Sequence, residues 1–368
     1  MTDWSRLVRP SVHGLAAYHP GPSMAELQRR YGREVVRLNR NEDLFPPFPG
    51  AREAVEAELA NVWMYPEESY SDFREAAAAW IGTTPDRIVP AHGTQALIGT
   101  LAGLLLEHGD PVVVPQPTYG LYAQVSTMRG AVVHRVPLRD LRVDLGALAA
   151  TARSVGARLV WICDPNNPTG SLARPDEWRP FLDALPERCI LVVDEAYADY
   201  VDPEARLGRE RDVEAGRRLV VLRTLSKLFG LAGLRLGYAI ADPELARYLD
   251  AVQEPFNVNR AALAAGLACL AHPELIEERR QAAAAARTLL CERLMAVGVE
   301  PFPSQANFVL VRTGVDDALV SDALAREGLL VRAGGEYGLD GYVRITVGPP
   351  PLMERVAEAL GRTVAQHA

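Results

Sequence analysis

RTLSKLFGLAGLRLG, running from Arg223 to Gly237, follows the apolar run RLVVL. A strand that ends in hydroxyl-bearing residues, offers a lysine and regains an arginine eight residues later has the parts to hold a phosphorylated aldehyde. Lys227 would form an imine, while the hydroxyls of Thr224 and Ser226 and the guanidinium of Arg235 would grip a phosphate. Taken alone, a Ser-Lys dipeptide after a strand reads equally as a surface lysine. The rest of the chain must supply the other contacts.

Outward from that stretch, residues 87 to 240 alternate short apolar runs with helical ones. The strand candidates are RIVPA, PVVVPQP, AVVHRVPL, RLVWIC, CILVVDEAY, RLVVLRT and LGYAIA, with TQALIGTLAGLLLEHG and LGALAATARSVG among the helices between them. Continuous Val/Ile/Leu runs separated by helices predict an α/β fold with a mostly parallel seven-stranded sheet sandwiched by helices. Ligands of such sheets bind outside the carboxyl ends of the strands, so polar residues just after each run are site candidates.

Beyond residue 250 a long Ala-rich helix leads to VEPFPS, NFVLVRT, the helix DDALVSDALAREG, LLVRAG, YVRITVG and a terminal helix, which predicts a smaller α+β C-terminal domain. The breakers Pro10, Gly14, Pro20, Gly21 and Pro22 mark an N-terminal arm. The expected division is 1–30, the arm; 31–250, the large domain; and 251–368, the small one. LNRNEDLFPPFPG, residues 38 to 50, reads as a long proline-rich loop of the kind that straps a binding site.

The formal charge of -8 argues against a nucleic-acid or anionic-membrane surface. No apolar run approaches the roughly 20 residues that span a bilayer, and the start MTDWSRLVRPSV has no apolar signal region. Cys163, Cys189, Cys269 and Cys291 lie far apart with no metal-ligand spacing, which fits reduced thiols in a cytoplasmic protein and no metal.

The strand ends supply the missing contacts. His92-Gly93-Thr94-Gln95 opens a helix after RIVPA and offers backbone amides and a hydroxyl to an anion, although Thr94 alone is equally an N-cap. PTYGLY places Tyr119 to stack on a ring, or simply in the core. DPNNPTG is a turn string in which the Asn167 side chain can donate to a ring oxygen. In CILVVDEAY, Asp194 after a buried apolar run needs a partner for its charge, and a protonated pyridine nitrogen would be one; Tyr197 lies three residues on. Together these residues describe a seat for pyridoxal 5'-phosphate (PLP).

NNPTG, DEAY and TLSKLFGLAGLRLG, in this order, resemble the fold-type I PLP-dependent aminotransferases. PTYGLY, PFNVN (Pro255 to Asn259), PSQANFVLVR and VRITVG are similar to their histidinol-phosphate aminotransferase branch, and the likeness covers nearly the whole chain. The resemblance implies that Lys227 is the Schiff-base lysine, Asp194 the pyridinium partner, and Asn167 and Tyr197 the ligands of the ring oxygen. Tyr119 would stack on the ring, and Gly93, Thr94, Ser226 and Arg235 would hold the phosphate. It further implies a homodimer with shared sites, Tyr65 of MYPE reaching the neighbouring subunit's phosphate, and substrate contacts at Tyr18, Asn41, Arg332 and Arg344. The implied reaction is ping-pong transamination between an amine such as L-histidinol phosphate and a 2-oxo acid such as 2-oxoglutarate.

Three departures touch the phosphate and substrate ends. His92 to Ala96 replaces the branch's NGSDE; Arg40, Asp43 and Leu44 stand in the front loop where LNANENP is usual; and Arg332 is followed by alanine rather than aspartate. An aminotransferase for an aromatic or specialised-metabolite amine, or a threonine-phosphate-type PLP decarboxylase, is the alternative on the same scaffold.

Overall fold

The computed structural model describes residues 2–15 and 24–367. Seven strands form the main sheet: β1 (Ile88–Ala91), β2 (Pro111–Gln116), β3 (Val132–Pro137), β4 (Leu159–Cys163), β5 (Ile190–Asp194), β6 (Leu219–Thr224) and β7 (Gly237–Ile240). Their order is β1-β7-β6-β5-β4-β2-β3, and β7 alone runs antiparallel to both of its neighbours. The other neighbouring pairs are parallel, as the continuous apolar runs predict. All five residues of β4 and all six of β6 are buried, which is what strands covered on both faces require.

The direction of β7 follows from the stretch that joins it to β6. No helix intervenes between Thr224 and Gly237, and those two residues pair directly, so the connection is a hairpin rather than a crossover. Reversal of one strand has a consequence for the site. β4, β5 and β6 deliver their carboxyl ends to one edge of the sheet, whereas β7 delivers its amino end there and brings Arg235 with it.

The intervening helices are set by local signals. Leu145–Val155, for example, starts where the Asp144 carboxylate accepts the Ala147 N–H at 2.9 Å and stops at Gly156 in the left-handed region. None of the helices among the described residues is long and apolar enough to cross a membrane.

A second, antiparallel sheet in the order β10-β11-β9-β8 contains β8 (Glu300–Pro301), β9 (Phe308–Arg312), β10 (Arg332–Ala333) and β11 (Tyr342–Thr346). Its core takes apolar residues from the helices Pro273–Ala296, Asp317–Arg326 and Pro350–His367. LLVRAG is divided in two. Leu329–Leu330 pairs in parallel with Val36–Arg37, and only Arg332–Ala333 joins the four-stranded sheet. Leu38 is buried in this second core although it lies within the span 31–250, while Ala262, Ala265 and Cys269 of the Arg260–Leu270 helix are buried in the first core although they lie beyond it. The front loop is thereby tied to the small sheet and laid across the edge of the large one.

Candidate active site

The phosphate-side candidates meet at that edge. Gly93 caps the Thr94–Leu105 helix with φ +76°, a conformation that favours glycine, and a Cβ there would stand 2.8 Å from Arg235 Nη2. Arg235 itself has φ +61°. It donates to Ser226 Oγ at 3.4 Å, to the Ala232 carbonyl at 3.1 Å and to Gln95 Oε1 at 3.3 Å, all neutral acceptors. Ser226 is buried, and its N–H is held by Thr224 Oγ1 at 3.1 Å. Gln95 also donates to the Tyr119 hydroxyl at 2.5 Å, which links this corner to the aromatic group after β2.

Lys227 lies half-buried beneath the front loop. Its ammonium donates to the carbonyls of Asn41 (3.0 Å) and Arg40 (3.3 Å), and Nζ stands 5.5 Å from the centre of the Tyr197 ring. Burial lowers its pKa to about 8, with Arg344 and Arg235 adding to the effect against Glu42 and Asp194.

Asp194 is buried at the end of β5. Its Oδ1 accepts the Ala196 N–H at 3.1 Å, and Oδ2 accepts the Tyr122 hydroxyl at 2.7 Å. Burial raises its pKa to about 6, because the hydroxyl, the amide and the more distant Lys227 only partly offset the lost hydration. Tyr122 is fully buried and stacks on Trp161, with ring centres 5.5 Å apart and planes within 8°, so its hydroxyl is held in one direction. Tyr119 meets Tyr122 edge-on at 5.5 Å.

Tyr197 OH accepts Asn41 Nδ2 at 3.0 Å, and burial pushes its pKa upward. Asn41 is buried with φ +54°, and its own N–H donates to Thr346 Oγ1 at 3.1 Å. Asn167 Oδ1 accepts from Arg344 Nη1. Arg344, buried on β11, donates further to the Tyr337 hydroxyl (2.9 Å) and the Asn39 carbonyl (2.8 Å), and lies over the Phe308 ring at 5.2 Å. Arg332 is the direct ladder partner of Arg344 and pairs with Glu336 at 2.5 Å.

Two expected residues stand apart. Tyr65 is 76% exposed, its ring stacked on Phe256 at 4.6 Å, among the exposed side chains of Leu59, Val62 and Trp63. Tyr18 lies outside the described residues.

Sequence reading missed Tyr122, Gln95, Glu336 and Tyr337. Only Tyr122 carried a usable signal, since the second tyrosine of PTYGLY falls one helical turn from Tyr119.

The profile of the family described as "Aminotransferase class I and II" matches residues 33–360. Histidinol-phosphate aminotransferase of Symbiobacterium thermophilum is 38% identical over 354 residues, covering 96% of this chain and 97% of that protein. The crystal structure of histidinol-phosphate aminotransferase from Sinorhizobium meliloti in complex with pyridoxal-5'-phosphate superposes with a TM-score of 0.90 at 30% identity, over 98% of each chain. Aspartate aminotransferase from Thermus thermophilus with maleate shares the fold at a TM-score of 0.82 and 23% identity, over 97% of this chain and 99% of that one.

Proposed function

We propose that this chain, which belongs to the aminotransferase class I and II family, uses PLP to move an amino group between L-histidinol phosphate and a 2-oxo acid such as 2-oxoglutarate. The observation that carries the reading is the convergence of Lys227, drawn toward neutrality, with the buried carboxyl of Asp194 and with Arg344, whose hydrogen bonds go to neutral acceptors. The relatives named above support the choice of amine.

The residues present fit the cofactor. A helix N-terminus, the hydroxyls of Thr94 and Ser226, and an arginine bonded to neutral acceptors form a seat for its phosphate. Asp194 would face the pyridine nitrogen, Asn167 and Tyr197 the ring oxygen, and Tyr119 the ring face. When bound, PLP supplies an electron-withdrawing ring and an aldehyde carbon that takes the amino group.

The protein's part is to hold protons and charges. An ionised Asp194, fixed by Tyr122 and the Ala196 N–H, keeps a proton on the group opposite it. Lys227, its pKa lowered to about 8 by burial, is more readily uncharged near neutrality than an ordinary lysine, so it would take a proton from the substrate's amine-bearing carbon and return it to the cofactor carbon on the far side of the nitrogen. Arg344 and Arg332 would hold the distal anion of either substrate, and Asn41 would steady Tyr197 and the lysine.

We also place the enzyme as a homodimer in the cytoplasm. The exposed Leu59, Val62 and Trp63 beside Tyr65 support a face that meets a second copy, and four unpaired cysteines support a reducing compartment. Stoichiometric addition of L-histidinol phosphate to the PLP-loaded protein should convert the cofactor absorbance to that of its amine form, and 2-oxoglutarate should restore it. Conversion by aromatic amino acids but not by L-histidinol phosphate would overturn the assignment.

A further inference from the structure

Arg332 and Arg344 are direct Cα partners across the β10–β11 ladder, so their side chains leave the same face of the sheet a few ångströms apart. Two like charges set opposite each other repel. Their surroundings differ sharply. Arg344 is buried and spreads its N–H groups over neutral acceptors, namely Asn167 Oδ1, Tyr337 OH and the Asn39 carbonyl. Arg332, on the edge strand, has the carboxylate of Glu336 at 2.5 Å; the two side chains are 31% and 48% exposed.

Glu336 is not there by the accident of a mobile loop. It lies in the short turn Gly334–Tyr337, where a Cβ on Gly334 would run into the carbonyl oxygens of Leu339 and Tyr342. The Asp317 carboxylate accepts the N–H of Gly335 at 2.8 Å and that of Gly341 at 3.0 Å, clamping both ends of the segment. One turn therefore serves both arginines, giving Glu336 to Arg332 and the adjacent Tyr337 to Arg344.

We propose that Glu336 is a specificity-determining residue, a resident carboxylate that cancels the charge of Arg332 until a phosphate displaces it. This deepens the preceding reading and rests on it, since it takes the arginine couple as the seat of the substrate's distal anion. A singly charged carboxylate is satisfied by Arg344 and leaves Glu336 on Arg332. A doubly charged phosphate has the oxygens and the charge to engage both arginines, and Glu336, half-exposed, then turns into water. One site thus accepts a phosphate and a carboxylate in alternation without holding either too tightly.

The test uses the PLP-loaded enzyme, with its cofactor-phosphate seat filled, titrated calorimetrically with inorganic phosphate and separately with succinate. Glu336→Gln removes the carboxylate that competes with phosphate for Arg332 and should tighten phosphate roughly 5- to 10-fold at low salt, while succinate changes less than about twofold. Arg332→Gln should weaken phosphate far more than succinate, and in that background Glu336→Gln should have no further effect. The inference is overturned if Glu336→Gln leaves both anions unchanged, shifts them equally, or keeps its effect without Arg332. These titrations need no turnover. Failure of L-histidinol phosphate to convert the cofactor of the wild-type enzyme would overturn the proposed reaction, whereas the phosphate and succinate shifts judge Glu336 separately.

Discussion

Asp194 and Glu195 are neighbours in the chain, both carboxylic acids and both buried, yet they lead opposite lives. Successive residues at a strand end point to opposite faces of the sheet. On one face Glu195 meets Arg209 at 2.6 Å and Arg223 at 2.8 Å, and Arg209 also bonds Asp164 while Arg223 reaches Asp199 at 3.1 Å. Burial pushes the Glu195 carboxyl up, but Arg223 and Arg209 outweigh it and hold it below the usual range. On the other face Asp194 has a tyrosine hydroxyl and a backbone N–H, no arginine paired with it among the described residues, and a pKa of about 6. The arginines divide in the same way, Arg209 between two carboxylates and Arg344 among neutral acceptors. Buried charge balanced by buried charge is scaffold; buried charge left unbalanced asks for something from outside, and that difference marks the candidate site.

The largest effect expected from the unbalanced side is on the reaction itself. Lys227→Ala should lower transamination by a factor on the order of 10³ or more and remove the borohydride-trapped cofactor from that position, read by peptide mass spectrometry. Retention of a trapped cofactor on the mutant would sink the lysine assignment.

On the balanced side, Glu195→Gln leaves Arg209 and Arg223 each short of a carboxylate and should destabilise the fold by about 3–5 kcal/mol, measured by denaturant unfolding.

Asp194→Asn should do the reverse in the cofactor-free protein. The folded pKa of Asp194 is raised from 3.8 to about 6, so the native state binds the extra proton and stability falls as pH rises between those values. Removing that ionisation should stabilise the cofactor-free fold at pH 7 by up to about 3 kcal/mol and flatten part of its pH dependence; Asp43, also raised to about 6, supplies a remaining slope of the same sign. If Asp194→Asn and Glu195→Gln shifted stability in the same direction, the contrast between the two faces would be lost.

The smallest effect sharpens the comparison within the site. Tyr122→Phe removes the only side-chain donor that reaches Asp194 Oδ2 within hydrogen-bond distance among the described residues, so cofactor-free stability at pH 7 should fall by about 1–2 kcal/mol. The pH at which the Asp194 contribution is lost should move upward, away from the value in the wild type. Unchanged pH dependence would mean that the hydroxyl does not govern the carboxyl.

Much of this was legible from residues alone. Six of the seven strands announced themselves because a strand buried on both faces must be apolar along its whole length, while the edge strand β3, largely exposed, carries His134 and Arg135; Asn167, Asp194 and Lys227 stood out because polar groups at the ends of such runs need a reason. Tyr122 could be placed beside Tyr119 by its helical spacing, but its hydroxyl gains a role only from Asp194, 72 residues away. Glu336 and Tyr337 read as an ordinary turn until the ladder set Arg332 against Arg344.

The sequence by itself determined the alternation of strand and helix, the edge of the sheet where polar residues gather, and the family to which the chemistry belongs, because burial and turn propensity act over a few residues at a time. The tertiary structure alone decided the reversal of β7 that swings Arg235 to that edge, the strap of Leu38 to Leu44 across it, and the sorting of Asp194 and Glu195 into different electrostatic worlds. Those outcomes depend on which groups from distant segments share a volume from which water is excluded, and no local pattern of residues contains that information.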